Sequence, residues 1–229
     1  SLQMLIQDEG RLNQTNIGVG VAGAMDLSAM HSANRIVGNP TNTPVIEVLN
    51  GGLKAKMQHA GVIAVAGAIS NIRVKFADGQ TADFASYQPI DLDEGDEFQI
   101  QPPTAGLRNY LAVRGGIDVE PVLNSASFDS LAVLGPEPLK LGDTIYQGQV
   151  KAANISVNEV GKSDLPRAGE VVELDIVMGP RTDWFEQDSI ELLCQQEWLV
   201  TNESNRVGLR LSGEQPLTRK ITHELESEG

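Results

Sequence analysis

Polar and apolar positions alternate with a period of two through the middle of the chain, and the period lengthens to that of a helix in only two places. Leu53, Ala55 and Met57 alternate with Lys54, Lys56 and Gln58, the pattern of a strand with one face in water. Val62-Ile63-Ala64-Val65-Ala66 is apolar throughout and predicts a strand buried on both faces. Ile72, Val74 and Phe76 alternate with Arg73 and Lys75 as far as Asp78-Gly79, a two-residue hairpin signal, and residues 81–84 return beside them. Pro89–Leu92, Glu97–Ile100 and residues 107–113 continue the series, and Gly142-Asp143 leads into Thr144-Ile145-Tyr146 as the last strand of a first unit. Many short strands and few helices predict an antiparallel sandwich or barrel in place of a doubly wound sheet.

The first helical stretch follows a glycine-rich loop. Leu27, Met30, Ala33, Ile36 and Val37 fall at helical spacing, Asp26 stands where an N-cap belongs, and Gly38-Asn39-Pro40 supplies the stop. Upstream, Gly18, Gly20 and Gly23 match GxGxxG letter for letter, but the six residues before them, Leu12-Asn13-Gln14-Thr15-Asn16-Ile17, are too polar for the buried strand that a dinucleotide fold needs. Asp26 would also set a carboxylate against the pyrophosphate. Glu47, at a distance that mimics a ribose-binding acid, lies inside the run Val45-Ile46-Glu47-Val48-Leu49 and not after it.

Beyond residue 148 the chain turns polar, with Asn154-Ile155-Ser156, Gly161-Lys162-Ser163-Asp164 and Pro166-Arg167-Ala168-Gly169, and reads as a connection. Gly161-Lys162-Ser163 resembles the end of a phosphate-binding loop, but Ser156 stands where that motif needs glycine. These shifts divide the chain into a first lobe at 1–150, a linker at 151–169 and a second lobe at 170–229. The second opens with a β-type run at 171–177 that Gly179-Pro180 ends. Asp183 or Asp188 can cap the next helix, Asp188 and Glu191 having capping-box spacing, and Cys194 within it reads as a small buried apolar residue. Trp198-Leu199-Val200 and residues 207–211 read as strands. Ser1-Leu2 and Glu228-Gly229 read as expression remnants on which nothing depends.

Composition narrows the function classes. A hydrophobic content of 41% in 229 residues fills a real core, and a formal net charge of −14 disfavours nucleic acid or anionic membrane as a main partner. The single cysteine excludes an intrachain disulfide, no apolar run reaches the length of a membrane span, and the expected location is cytoplasmic. The three histidines, His31, His59 and His223, form no legible zinc site or Ser-His-Asp arrangement, so no metal ligands are assigned.

Four groups remain as candidates. Asp26 can bind or deprotonate an amide N–H, or serve only as a cap. Arg114, in Arg114-Gly115-Gly116 after an apolar strand, can aim its guanidinium at a carboxylate or phosphate, or pair with a local acid. Ser125, Ser127 and Asp129 are either turn residues or binding groups, and Asn205 with Arg206 makes a further polar cluster.

Gln7-Asp8-Glu9-Gly10-Arg11, Gly23-Ala24-Met25-Asp26, Asn34, Gly38-Asn39, Arg114-Gly115-Gly116-Ile117, Ser125 with Ser127 and Asp129, Gly142-Asp143, Gly179-Pro180 with Asp183 and Phe185, and Ser204-Asn205-Arg206 with Gly208 and Arg210 resemble, in order, the blocks of the family of allophanate hydrolase subunit 2, also known as the 5-oxoprolinase subunit-C family. That family is related to the carboxyltransferase part of urea carboxylase. The resemblance implies a mainly β fold of two cyclophilin-like barrel lobes with a few short helices. It also implies an incomplete second lobe, because relatives continue with a block reading Asp-Arg-Gln-Thr-Thr-Gly-Gly-Tyr that is missing here. It implies an ATP-dependent hydrolase acting on a cyclic amide, 5-oxoproline, active with a subunit-B-like protein and a further hydrolase subunit, with magnesium accompanying the nucleotide. The alternative is a biotin-dependent carboxyltransferase component acting on urea. A third reading, of another class, is a non-catalytic partner of a kinase-inhibitor-like protein. Asp26 and Arg114 are carried over as catalytic, and Gly23, Ala24, Met25, Ser125, Ser127, Asn205 and Arg206 as substrate-binding. Asp26, Arg114 and the glycine loop are expected to meet in one pocket facing a small amide.

Overall fold

The computed structural model describes residues 3–162 and 164–223, so Ser1-Leu2, Glu228-Gly229 and Ser163 lie outside the described residues. Contacts divide the chain into two units, 1–168 and 169–229. Among its described residues the first holds nine strands and one α-helix: β1 Gln3–Gln7, α1 Leu27–Val37, β2 Val45–Leu49, β3 Lys54–Lys56, β4 Gly61–Ile69, β5 Asn71–Lys75, β6 Thr81–Ala85, β7 Pro89–Leu92, β8 Glu97–Ile100 and β9 Ala105–Val113. They make two antiparallel sheets, ordered β1-β2-β9-β4-β7 and β3-β8-β5-β6. Both sheets are open at their edges, and the fold is mainly β as expected.

Alternation along β4 explains the layering. Ile63 and Val65 point into a core shared by the two sheets, with Ile46, Val48 and Leu111 from one side and Ile72, Val74, Phe98 and Ile100 from the other. Ala64 and Ala66 point the opposite way and meet Ala29, Met30, Ala33, Ile36 and Val37 of α1, together with Ala112 and Tyr110 of β9. Three alanines on this outer face let the helix sit close to the sheet, which is why a strand buried on both sides shows no polar positions. The Asp78-Gly79 turn forms as read, with Phe76 N–H donating to the Gln80 carbonyl at 2.8 Å. Asp26 caps α1 by accepting from Ala29 N–H at 3.0 Å, and Gly38 closes it in the left-handed conformation at φ 78°.

Several sequence expectations are corrected. The polar stretch that opens the proposed linker packs on the first unit: Val150 N–H donates to the Gly115 carbonyl, Ala153 N–H to Gly38 and Ser156 N–H to Ile36. It forms a strap along α1. Thr144-Ile145-Tyr146 is no strand, and only an isolated bridge, Ile117 to Gln147, marks the place. In the second unit the β-type run at 171–177 has no strand partner among the described residues, and its apolar side chains are exposed. Periodicity supplies a face but not a neighbour to pair with. That unit contains α2 Gln187–Gln195 and a two-stranded sheet of β10 Leu199–Val200 with β11 Leu211–Ser212. Glu186 occupies the α2 N-cap position without a side-chain bond, so Asp188 lies in the first turn and the capping box does not form. Cys194 is exposed, on the outer face of α2.

The alanine face yields a stability test. Replacing Ala64, fully buried beneath α1, with leucine should cost about 1–3 kcal/mol in urea unfolding, because the helix must lift from the sheet. Unchanged stability would mean that the helix does not seat on this face as described.

Candidate functional site

The N-terminal end of α1 lies above one cross-strand row of the larger sheet. Register places Leu5, Glu47, Tyr110 and Ala66 opposite one another on β1, β2, β9 and β4. All four side chains therefore share the helix-facing surface. Glu47 is only 3% exposed, and a buried carboxylate must gather donors or destabilise the fold. It accepts from Met25 N–H at 3.1 Å, the Arg108 guanidinium stands 3.4 Å from its other oxygen, and Tyr110 is hydrogen-bonded to it. The Tyr110 hydroxyl in turn accepts from Asp26 N–H at 2.8 Å. Burial pushes the Tyr110 phenol far above its usual range and the neighbouring Glu47 charge adds to the rise, while the bond from Asp26 N–H opposes it.

Two consecutive backbone groups of the Gly23-Ala24-Met25-Asp26 turn are thus fixed from below. A third, Ala24 N–H, donates to the Asp8 carbonyl at 2.9 Å. Gly23, at φ 91°, brings its α-carbon so near Glu9 and Gly10 that a side chain would meet their backbone at 3.0 Å, so glycine is required there. The Asp26 carboxylate faces upward. One oxygen caps Ala29, and the other meets the Lys162 ammonium at 3.2 Å, with the Asp26 side chain 34% and the Lys162 side chain 54% exposed.

The strap brings Lys162 there. Arg35 clamps Glu159 through two bonds of 2.7 and 2.8 Å, which holds the Glu159 carboxyl below the usual range. Two residues on, Gly161 passes against the Tyr87 ring at a distance where any β-carbon would lie 2.6 Å from Cε2. Tyr87 itself occupies the left-handed region at φ 66°, uncommon for a non-glycine residue, and its hydroxyl accepts from Gly67 N–H at 2.9 Å at the β4 irregularity. Burial pushes the Tyr87 phenol up, the Gly67 bond opposes this, and the nearby Asp26 charge adds to the rise.

Ser125 and Ser127 belong to an adjoining cluster around Asp8. Both hydroxyls donate to one Asp8 oxygen at 2.6 Å, and Ala126 N–H donates to the other at 2.7 Å. Arg11, 1% exposed, gives its guanidinium to the Val122 and Ser127 carbonyls and leaves Nη1 without a partner among the described residues. Asp129 accepts from Leu131 and Ala132 N–H, organising its own turn. Ser125, Ser127 and Asp129 are buried and hydrogen-bonded within the protein, so they brace the Asp8–Arg11 segment on which the Gly23–Asp26 turn rests. Asp26, by contrast, is partly exposed.

Arg114 lies elsewhere. Its guanidinium donates to the carbonyls of Val37, at 2.7 Å, and Ala153, at 3.0 Å, stapling the C-terminal end of α1 to the strap. Asp26 is at the other end of a helix of 11 residues, about 16 Å away at 1.5 Å per residue. The expectation that Asp26 and Arg114 share a pocket is therefore corrected: the arginine satisfies carbonyls that the end of a helix leaves unpaired. Asn205 organises its own loop in the second unit by accepting from Val207 N–H at 2.8 Å, and Arg206, adjacent to it, belongs to that loop. A recess of about 370 Å³ in this unit is lined largely by Pro180, Phe185, Ile190, Leu193 and Leu217 and offers no acid–base pair. Among the described residues no group of three or more His, Cys, Asp or Glu side chains is placed to hold a metal ion.

Glu47, Tyr110, Tyr87 and Lys162 were not picked out by sequence as site residues. A charge inside the apolar run Val45–Leu49 was a usable signal for Glu47, since a strand seldom buries a carboxylate without a reason. Nothing in the sequence places Lys162 beside Asp26, 136 positions earlier.

Comparison with known proteins supplies the family. The family described as carboxyltransferase domain, subdomain A and B, matches residues 17–229. The chain is 35% identical over 222 residues to urea amidolyase of Saccharomyces cerevisiae, covering 92% of this chain and 12% of that protein. It is 32% identical over 227 residues to the 5-oxoprolinase subunit-C protein of Escherichia coli, covering 98% of this chain and 70% of that protein. The crystal structure of the Kluyveromyces lactis urea carboxylase superposes with a TM-score of 0.79 at 30% identity, covering 96% of this chain and 20% of that one. The chain thus spans about an eighth of the yeast urea amidolyase that it resembles.

The buried tyrosine sets an alkaline limit on the site. A phenol whose pKa is raised by folding contributes stability below its unfolded value, about 10, and that contribution is lost as pH climbs above it. Tyr110→Phe should cost about 1–3 kcal/mol at neutral pH by stranding Glu47 and Asp26 N–H, and should flatten the fall of Tm above about pH 10. Parallel melting profiles for the two proteins across that range would refute the assignment.

Proposed function

The chain belongs to the carboxyltransferase-domain family, and from that premise we propose that it serves as the subunit-C-like component of an ATP-dependent 5-oxoprolinase, hydrolysing a small lactam together with a subunit-B-like protein and a further hydrolase subunit. The observation that carries the proposal is the Asp26 carboxylate, held by a braced turn and open to solvent on one side. A carboxylate with spare lone pairs binds an amide N–H and draws electron density toward the carbonyl that must be activated. Similarity to the Escherichia coli 5-oxoprolinase component along 98% of this chain supports the lactam as the amide.

The described residues do not fit a triphosphate. Gly161-Lys162 lacks the earlier glycine of a phosphate loop, Arg35 is engaged by Glu159, and Arg114 by two carbonyls. The ATP step, and the magnesium that accompanies it, accordingly belong to a partner subunit. What this chain contributes is orientation of the amide. The two groups bonded to the Asp26 carboxylate, Ala29 N–H and Lys162, are donors and not a nucleophile with its base, in keeping with a subunit that acts in an assembly.

A second reading rests on the similarity to urea amidolyase and on the urea carboxylase structure. There the same carboxylate would hold the N–H of urea, or of a biotin ureido ring, as a carboxyl group passes between them. A non-catalytic role as partner of a kinase-inhibitor-like protein is separated from both by turnover.

The decisive assay mixes the chain with its subunit-B-like partner and the further hydrolase subunit and follows ATP hydrolysis with and without 5-oxoproline. Turnover that depends on 5-oxoproline is expected. Asp26→Asn should lower it by roughly a hundredfold or more, while unfolding stability moves by no more than about 1 kcal/mol, since asparagine caps a helix as well as aspartate. Urea-dependent carboxylation in place of lactam-dependent turnover would select the second reading, and a stable complex with neither would select the binding role.

A further inference from the structure

Asp26 and Lys162 have complementary unused capacity. An ammonium carries three donors, and Asp26 is the one partner of Lys162 among the described residues. A carboxylate offers about four acceptor positions, of which Ala29 N–H and Lys162 take two. The pair therefore presents donors and acceptors side by side on a half-exposed surface, a pattern that matches a small molecule carrying both an amide N–H and a carboxylate.

An exposed lysine pairing with an aspartate is often an incidental surface contact. Three features set this one apart. Gly161 is pressed against the Tyr87 ring so closely that no other residue fits, which fixes the backbone immediately before Lys162. Tyr87 is held in an unfavourable backbone conformation to provide that surface, strain of the kind that accumulates at functional sites. Arg35 is held by Glu159, and Arg114 lies at the opposite end of α1 against the Val37 and Ala153 carbonyls, so of these three cations Lys162 is the one placed beside Asp26.

We propose that Lys162 is the specificity-determining residue of the Asp26 site, receiving the carboxylate of a small anionic amide while Asp26 receives its N–H. Resting on the reading of Asp26 as the amide-binding group, it narrows the substrate class to amides that bear a carboxylate and sets neutral amides at a disadvantage. The strap acts as the carrier of that residue: its last backbone bond to α1 is at Ser156, and beyond it Val157 and Val160 are 71% and 86% exposed. The Glu159 clamp and the Gly161 seat on Tyr87 then deliver Lys162 beside Asp26, with its side chain left partly in solvent.

The test compares two lactams that differ only in the carboxylate, 5-oxoproline and 2-pyrrolidinone, in the reconstituted assembly. Lys162→Met should raise KM for 5-oxoproline roughly tenfold or more, with kcat and all constants for 2-pyrrolidinone little changed, and Lys162→Arg should recover part of the loss. Gly161→Ala, which displaces the strap from Tyr87, should reproduce the KM effect without removing the charge. Equal effects on both lactams, or none, overturn the proposal. Should the wild-type assembly turn over neither lactam, ligand-observed NMR on the chain alone, with 5-oxoproline, oxamate, 2-pyrrolidinone and urea, separates the two failures. Binding of the two carboxylates that Lys162→Met abolishes retains the lysine assignment and discards the oxoprolinase reading; binding of none of the four, or of all four alike, discards the lysine assignment as well.

Discussion

A carboxylate under the end of a helix is the constraint around which this site is built. Glu47 sits on a strand whose neighbours in the chain face the apolar core, and a charge in that position is tolerated only when each of its lone pairs finds a donor. Its partners come from three directions: hydrogen bonds with Met25 N–H of the loop above and with Tyr110 of the adjacent strand, and an ion pair with Arg108, two residues before Tyr110. Meeting that requirement fixes the turn from Gly23 to Asp26 in space before any ligand arrives. Because Tyr110 also receives Asp26 N–H, the backbone of the exposed carboxylate is bonded to the group that satisfies the buried one. The two acids are thus arranged in series, one rigidifying and one presented.

The alanine face of β4 and β9 is the second half of that arrangement. A larger side chain at Ala64, Ala66 or Ala112 would raise α1 and with it Asp26, so the distance between Tyr110 and the helix start depends on small residues below the middle of the helix. The other end is held by a different device. Asn39 donates to the Val113 carbonyl at 2.8 Å and accepts from Gly115 N–H at 2.9 Å, and Arg114 closes the helix on the strap. The Arg114-Gly115-Gly116 segment therefore determines where the strap begins, and through it where Lys162 ends.

How much of this could be read in advance differs by type of feature. Strands with one wet face, such as β5 with Arg73 and Lys75 outward, announce themselves because each face has its own solvent. The doubly buried β4 was legible as a strand, but its division into a large-residue face and an alanine face gained meaning only with the helix in place. β1 was missed because residues 3–7 contain two glutamines, of which Gln7 is fully buried and donates to the Phe128 carbonyl. The run at 171–177 was read as a strand although no partner strand accompanies it among the described residues. Asp26 was found because a cap is a local feature. Its partners Tyr110 and Lys162 are 84 and 136 residues away, and chemistry assembled across such separations leaves no trace in spacing. Arg114 was misplaced for the converse reason: its residue type fits an anion, but its surroundings offer helix carbonyls.

The charge of the whole chain bears on why a lysine belongs in this position. At −14 the protein repels small anions at long range, so a carboxylate-bearing amide gains nothing from steering. At physiological salt, however, the field of distant charges is damped within about 8 Å, and the groups that a ligand meets on contact decide whether it stays. Beside Asp26 those groups would present only negative charge without Lys162, since Arg108 is committed to Glu47 and Arg35 to Glu159. A carboxylate suited to holding an amide N–H is, unaided, a poor host for an anion. An ammonium placed 3.2 Å from it by a separate segment answers that conflict on the proposed reading, since it offers donors to the acid while the aspartate keeps acceptor positions for the amide. On the proposed reading the strap, which in the sequence is mere connection, lets one site serve both ends of such a molecule.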